Sequence, residues 1–236
     1  MEEIRAFFQE IINTQLFLLT LSVLSYYGAQ LLYRRFPIIL FTPIIIATSI
    51  IIFFLKATGI EYGVYYESNG IINFILGISV VCLSYLMHKN INRIKEFKLS
   101  IVVSTLIGSI VGVVSVIGLS YLFGCDHMIM VSLEPKSVTT PIALSLSHSI
   151  GGIPALTSLA VVVAGLFGNI VGVKILDICR ITDPVARGLG LGSASHAVGT
   201  AKAMELGALE GAVGGAAIGL MGLFTSLVIP IINGLL

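Results

Sequence analysis

Long apolar stretches, separated by short polar ones, run through this chain of 236 residues. A helix that spans a bilayer needs about 20 mainly apolar residues. Stretches of that kind cover residues 11–33, 37–55, 70–88, 100–123, 154–176 and 207–236. The pattern predicts an all-α fold, a polytopic transmembrane helical bundle. Pro43 and Pro230 lie inside predicted spans, and we expect each to kink or end its helix.

Two shorter stretches, 137–150 and 188–202, interrupt this pattern because they are rich in Gly, Ser and Thr. An unpaired polar group in hydrocarbon costs several kcal/mol, so polar segments at that depth usually face protein or water and usually serve function. We therefore predict two discontinuous or re-entrant helices. Gly151 and Gly152, followed by Pro154, separate the first of these from the next span. They form either an ordinary tight turn or a hinge.

The composition supports a membrane protein, since 56% of residues are hydrophobic and 11% are charged, with a mean hydropathy of +1.04. A soluble domain has roughly 25% charged residues. The net charge of +1 gives no electrostatic basis for nucleic-acid binding. We expect one integral membrane domain over 1–236, with a looser half at 1–123 and a motif-rich half at 134–236. Basic residues at 34–35 and 89–98 predict an N-terminus on the outside.

The chain shows no pattern typical of an enzyme or a cofactor site. Cys82, Cys125 and Cys179 have no metal or disulfide spacing, so we expect free thiols, no metal and no cofactor. The G-x-S-x-G, H-E-x-x-H, P-loop and C-x-x-C motifs do not occur. Ser195 and His196 are adjacent, with no carboxylate clearly placed to orient the imidazole. We therefore expect no enzymatic activity.

The first polar segment has the residues of an anion site. Thr140 followed by Pro141 is typical of a helix start, with Thr140 as N-cap and Pro141 in the first turn. Backbone N–H groups at such a start carry partial positive charge and bind anions. Ser137 and Thr139 add hydroxyl donors, and Lys136 adds a full positive charge. The alternative is that the hydroxyls only cap a kinked helix while Lys136 extends to the lipid headgroups.

The second polar segment keeps its side chains small, through Gly188, Gly190, Gly192, Ser193, Ser195 and Gly199. His196 and Thr200 are four residues apart and share one face of a helix. Lys202 and Glu205 are spaced to form an ion pair. His196 either exchanges a proton during carboxylate transport or, as the structural alternative, stays neutral and hydrogen-bonds a backbone carbonyl.

Glycines recur at helical spacing in the last span, at Gly207, Gly211, Gly215 and Gly219. One face of that helix is therefore nearly bare backbone, which is typical of close helix packing. The alternative is a surface on which one helix slides or rocks against another.

Three segments closely resemble the LrgB/CidB family of bacterial membrane proteins: PKSVTTPIA at 135–143, IGGIPALTS at 150–158 and RGLGLGSASHAVGTAKAMELGALEGA at 187–212. The resemblance implies a transporter-like helical bundle with broken helices and inverted repeats in the bacterial cytoplasmic membrane. It implies an antiholin-like role, in which a small LrgA/CidA-type membrane partner helps to regulate murein hydrolase activity and lysis. It also implies transport of small carboxylates such as pyruvate or glycolate, as in a related plastid branch. We further expect a homo-oligomer.

The chain departs from that family in the third span, where Ile78 and Leu86 stand in place of family prolines, and at Thr42, where an asparagine is common. These differences predict a more regular helix in the first half.

Two functional hypotheses follow. In the first, the chain is a secondary carrier of a monocarboxylate. Thr139, Thr140 and the helix start at Pro141 hold the carboxylate, and the 188–202 segment faces the same cavity. In the second, it regulates lysis through a holin-like partner bound on the glycine face of the last span.

Overall fold

The computed structural model describes residues 12–36 and 41–235. Within helix 70–89, only the backbone is described for Asn73, Leu76, Gly77, Ser79, Val80, Leu83 and Leu86. The predicted span starts at residues 11 and 37, and the predicted end at residue 236, lie outside the described residues. All regular secondary structure in the described ranges is helical.

The helices, in chain order, are α1 (Gln15–Arg35), α2 (Pro43–Thr58), α3 (Tyr62–Ser68), α4 (Gly70–Lys89), α5 (Ile91–Glu96), α6 (Lys98–Leu122), α7 (His127–Leu133), α8 (Thr140–Ser149), α9 (Pro154–Ile178), α10 (Pro184–Leu206) and α11 (Ala208–Asn233). The chain forms two compact units, Met1–Val80 and Val81–Leu236, with the boundary inside α4.

Four of these helices, α1, α6, α9 and α11, are long and apolar enough to cross a bilayer. Large apolar side chains such as Ile107 on α6, Val162 on α9 and Leu227 on α11 are exposed. Exposure of this kind is expected where lipid replaces water as the solvent. The prediction of an all-α, multi-pass membrane bundle is confirmed. The outside N-terminus and the inverted repeats stay predictions.

The first unit is built from α1, α2 and α3. Ser22 of α1 hydrogen-bonds the hydroxyl of Tyr65 at 2.8 Å and donates to Asn69 Oδ1 at 2.9 Å. Pro43 is the first residue of α2, so the predicted kink at this position is wrong. A first-turn proline lacks only an N–H group that has no partner inside the helix, and the helix therefore continues undisturbed.

Helix α4 runs without a break from Gly70 to Lys89, through Ile78 and Leu86. This is the more regular helix that the missing prolines predict. Within the last span, Pro230 lies inside α11, and the helix continues to Asn233.

The second unit has an apolar core where α6, α7 and α11 meet. Its buried members are Val113, Ile117, Met130, Val131, Val228 and Ile229. This core positions the turn after α7, which carries Lys136.

Helices α10 and α11 pack closely because glycines face each other's backbones. A methyl group at Gly192 would come within 2.7 Å of Gly214 Cα, and one at Gly188 within 2.8 Å of Glu210 Cα. Both clashes involve backbone atoms, which cannot move aside cheaply.

The glycine row predicted for the last span lies only partly in this contact. Gly207 immediately precedes α11, Gly211 packs against Met204 and Gly215 is buried. Gly219, in contrast, is exposed, and a methyl group added there would meet no neighbouring atom within 4 Å. The row therefore turns away from α10 at its end, and Gly188 and Gly192 supply part of the close-packed surface.

Candidate functional site

A cavity of about 810 Å³ lies within the second unit, between α6, α9, α10 and the turn that follows α7. Its lining is mostly apolar. The cavity is open on one side, where Val111, Val163 and Phe167 line it and are each more than half exposed. The polar lining consists of side chains singled out from the sequence: Lys136, Ser137, Ser193 and Ser195. The structure thus brings part of both polar segments to one site.

Lys136 is the charged group of this cavity. Its Nζ donates to the carbonyl of Gly112 across a long 3.4 Å contact. In the part of the chain that the structure describes, no carboxylate lies within ion-pair distance of this ammonium. Burial lowers the pKa of Lys136, since desolvation penalises the charged form. An anion in the cavity would offset that penalty.

Hydroxyl groups lie on the α10 side of the cavity. Ser193 Oγ is buried and makes no hydrogen bond with any described residue. Ser195 is seated against Gly168 of α9, where a methyl group would overlap its Oγ. Ser193 therefore has an unused donor and acceptor, which a change of side-chain rotamer would have to turn toward a bound molecule.

Helix α10 is interrupted at Ser195 and His196, which have φ/ψ values of −135°/21° and 43°/−133°. The prediction of a discontinuous helix is confirmed at this segment. Asp183 caps the start of α10, accepting from the Ala186 N–H at 2.8 Å, as the Asp-Pro sequence indicates. Asn169 of α9 donates to the Val198 carbonyl at 3.2 Å, just beyond the break.

His196 lies beside the cavity rather than in its lining. The residue is 6% exposed, and its imidazole Nε2 donates to the Val161 carbonyl at 3.0 Å. Gly165 provides the space, since a methyl group there would come within 2.8 Å of the ring. This is the structural alternative given for His196. It holds the broken segment against α9.

Gly199 and Thr200 contribute to packing between helices. A methyl group at Gly199 would meet the Leu191 carbonyl, and Thr200 lies against Gly214 of α11. Neither residue lines the cavity. Lys202 and Glu205 form the expected ion pair at 2.6 Å on the surface.

Thr139, Thr140 and Pro141 are placed differently from the expectation. The N-cap of α8 is Thr139, and Thr140 is the first helical residue, so the assignment of Thr140 as N-cap is wrong by one position. The Thr139 side chain makes no capping hydrogen bond. Neither threonine lines the large cavity. Pro141 lines a separate cavity of about 480 Å³ with Ser226 of α11.

The turn before α8 explains this separation. The backbone bonds Lys136 N to Leu133 O and Val138 N to Pro135 O. Val138 is 1% exposed and packs with Ala143 and Val161. Because Val138 is held in that cluster, Lys136 and Ser137 reach the cavity while the following residues do not.

Gly151 and Gly152 form a tight turn between α8 and α9. Gly151 has φ +77°, a conformation that favours glycine. Gly152 packs against Ser132 and Ser147, and its N–H donates to the Ser147 carbonyl at 2.7 Å. Ser132 Oγ also accepts from the Ile153 N–H at 2.7 Å. These contacts are those of a turn, and the hinge stays a prediction.

Three polar residues near these elements were missed by sequence reasoning: Glu134, Asn169 and Asn233. Each interrupts or adjoins an apolar stretch, which is the signal that could have found them. Glu134 is buried and accepts a hydrogen bond from Asn233 at 2.7 Å.

Comparison with known proteins gives one consistent result. A family model described as the LrgB-like family matches residues 22–235. The Holin-like protein CidB of Staphylococcus aureus is 36% identical over 217 residues, which are 92% of this chain and 95% of that protein. The Antiholin-like protein LrgB of Bacillus mycoides is 34% identical over 218 residues, with the same coverage of 92% and 95%. No solved structure matches.

Proposed function

This chain belongs to the LrgB-like family of membrane proteins, and from that premise we propose that it is a secondary transporter of small monocarboxylates such as pyruvate or glycolate. The observation that carries the proposal is the Lys136 ammonium, which lines the cavity and has no carboxylate of the described residues within ion-pair distance. We expect no enzymatic activity.

The chemistry of the cavity suits a small carboxylate. Lys136 supplies the opposite charge for the carboxylate oxygens. After a change of rotamer, the unused hydroxyl of Ser193 supplies a hydrogen bond to the oxygen on the adjacent carbon, which is a keto group in pyruvate and a hydroxyl in glycolate. The apolar walls accept the rest of the molecule. Binding cavities commonly measure about 300–1,000 Å³, so the site holds a small acid with some water.

Transport also needs the cavity to open to each side in turn. Broken helices near the middle of the membrane are a recurring feature of secondary transporters, and they keep polar backbone at the substrate site. In this chain the break at Ser195 and His196 adjoins the cavity. We propose that α10 moves relative to α9 at this break, which requires the contacts of Ser195 with Gly168 and of His196 with Gly165 to be released.

A second candidate function is regulation of murein hydrolase activity and lysis without solute transport. It is favoured by the names of the relatives, Holin-like and Antiholin-like. In this second candidate function, an LrgA/CidA-like small membrane protein binds the chain. The exposed end of the glycine row, at Gly219, then belongs to the contact surface. Such a partner is also compatible with the transporter, and a homo-oligomer is part of the same proposal.

The two functions are separated by uptake of labelled pyruvate and glycolate into proteoliposomes. We expect wild-type protein to catalyse saturable uptake and Lys136→Gln to reduce apparent affinity about ten- to a hundredfold, the worth of a hydrogen bond to a charged group. Lys174→Gln is the matched control, since Lys174 is exposed on α9 and does not line the cavity.

The outcomes assign the function. Uptake that needs co-reconstitution of an LrgA-like protein establishes a transporter with an obligatory partner. If neither the chain alone nor the chain with that partner takes up either acid, the regulator is the correct alternative. Equal uptake by wild type and Lys136→Gln rejects Lys136 as the binding group.

A further inference from the structure

Helix α10 reverses its direction at the break, and its contacts with α11 show this. A methyl group at Gly188 would come within 2.8 Å of Glu210 Cα, near the start of α11. One at Gly192 would come within 2.7 Å of Gly214 Cα, about one turn further along. Because the residue numbers rise together in these two contacts, the first arm of α10, residues 184–194, runs parallel to α11.

The second arm of α10, residues 197–206, runs the other way. A methyl group at Gly214 would come within 3.1 Å of Thr200 Oγ1. A methyl group at Gly211 would come within 3.1 Å of Met204 Cα. In these contacts the residue numbers of α10 rise while those of α11 fall. The second arm is therefore antiparallel to α11, and the two arms form a helical hairpin.

Ser195 and His196 form the tip of this hairpin. The two arms are close together behind the tip, since a methyl group at Gly199 would be 3.1 Å from the Leu191 carbonyl carbon. In an unbroken helix, residues eight apart are separated by about 12 Å along the axis. The tip lies near the middle of α9, where Ser195 is seated against Gly168.

Both arms begin and end at one end of the second unit, which we call the near face and define by the α9–α10 turn at residues 179–183. The first arm starts there, because Arg187 donates to Asp177 Oδ1 at the end of α9, at 2.7 Å. The second arm returns along α11 to the level at which the first arm starts. Helix α10 is therefore re-entrant, whereas α9 and α11 are long and apolar enough to cross a bilayer.

The segment from α7 to α8 enters from the opposite end, which we call the far face and define by residues 123–126. Helix α6 starts at the near face, since Ile101 packs with Val185 at the start of α10, and it is long enough to cross before α7 begins. The turn between α7 and α8 reaches inward, because Val138 packs with Val161 of α9. Val161 lies two turns into α9, a depth of about 10 Å along its axis.

Val161 is the residue at which the two segments meet. Its side chain packs with Val138, and its carbonyl accepts from His196 Nε2 at 3.0 Å. The cavity passes this point, and Lys136 and Ser195 line it from the two segments. The open side of the cavity is apolar, and a carboxylate does not enter through an apolar layer, because charge is costly there. The substrate therefore enters from the near face or the far face, past one of the two segments.

We propose that α10 is a re-entrant hairpin that gates the cavity at the near face, and that the α7–α8 segment gates it at the far face. The inference rests on the proposed transport function and deepens it, since it assigns a separate gate to each side of the membrane. To open the near gate, the first arm of α10 moves away from α9, which releases the tip from Gly165 and Gly168. To open the far gate, the turn before α8 moves, which releases Val138 from α9.

The first test needs no ligand and decides the hairpin. In full-length protein whose three native cysteines are replaced by alanine, single cysteines are introduced as Thr182→Cys, Glu205→Cys or Asp126→Cys, all at exposed positions. Sealed membrane vesicles of both orientations are treated with a maleimide that does not cross membranes. We expect Thr182→Cys and Glu205→Cys to be labelled from one side and Asp126→Cys from the other. Any other pattern of labelling would overturn the hairpin.

The second test locks the near gate. Asp177→Cys and Arg187→Cys are combined in the same cysteine-free protein, and a short thiol cross-linker that a reducing agent removes ties the first arm to α9. We expect the cross-linked protein to bind pyruvate in detergent but to lose uptake in proteoliposomes, and reduction to restore uptake. The matched control is Lys202→Cys with Glu205→Cys, an ion pair inside the second arm, whose cross-linking leaves uptake unchanged.

The outcomes of the second test decide the near gate. Undiminished uptake by the cross-linked Asp177 and Arg187 variant would reject the near gate. Loss of pyruvate binding together with uptake would also reject it, since neither position lines the cavity and a lock on the gate leaves the site intact. If wild type takes up no pyruvate, the transport proposal fails, while the labelling pattern still decides whether α10 is a hairpin.

Discussion

At the scale of single residues, Lys136 and Ser193 are polar groups that have few hydrogen-bond or ion-pair partners among the described residues. A sequence as apolar as this one makes such residues conspicuous, because each needs a reason to be away from water. The polar lining of the cavity was predictable on that basis. The placement of Thr139 and Thr140 was not, since it depends on the burial of Val138 against Val161, a contact between segments far apart in the chain.

The hydroxyl groups give a prediction that separates the observed site from the expected one. Ser193→Ala removes a hydrogen bond to the substrate, and we expect affinity to fall about two- to tenfold, the worth of roughly 0.5–1.5 kcal/mol. Thr140→Val should leave affinity unchanged, because Thr140 lies outside the cavity. Equilibrium binding of labelled pyruvate to both variants checks this. Loss of binding in Thr140→Val, with Ser193→Ala intact, would return the site to the start of α8.

Helices α9 and α10 show how an element is shaped by its neighbour. The sequence of α10 predicts a short, small, polar segment, and the structure has a longer helix with an internal break. The position of that break depends on α9, where Gly165 and Gly168 make room for His196 and Ser195. Complementarity of this kind is not visible in either segment alone. The small, polar residues of α10 therefore predicted that the helix is broken, but the residues at which it breaks could not be predicted without α9.

A substitution on α9 tests this complementarity. Gly168→Ala places a methyl group on Ser195, and we expect a loss of about 1–3 kcal/mol in stability from overpacking, together with loss of pyruvate binding. Gly118→Ala is the matched control in α6, an exposed glycine with nothing within 4 Å. In that position alanine should raise helix stability slightly.

We would measure thermal unfolding in detergent and equilibrium binding of pyruvate for both variants. The two measurements test whether Gly168 is needed for the position of Ser195. A Gly168→Ala protein that melts and binds like wild type would mean that Ser195 does not need its present position.

The architecture of the whole molecule was easier to predict from the sequence than the details of single helices or residues. Long apolar stretches fix a helical membrane bundle, because every backbone polar group in lipid must be paired within its own segment or a closed sheet. Helix limits differed at Pro43, which begins a helix instead of bending one, and at the second polar segment, which belongs to a longer helix from Pro184 to Leu206. The cavity belongs entirely to the second unit, which is also the motif-rich half of the sequence. Substrate identity depends on a few contacts and leaves little trace in composition.

The central claim is that the cavity binds a small carboxylate through Lys136. The most direct measurement is equilibrium binding of labelled pyruvate to the purified full-length protein, with unlabelled glycolate as competitor, for wild type, Lys136→Met and Lys174→Gln. We predict saturable, competable binding to wild type and Lys174→Gln, and at least about tenfold weaker binding to Lys136→Met. Absence of saturable binding to wild type, or equal binding to Lys136→Met, would contradict the account.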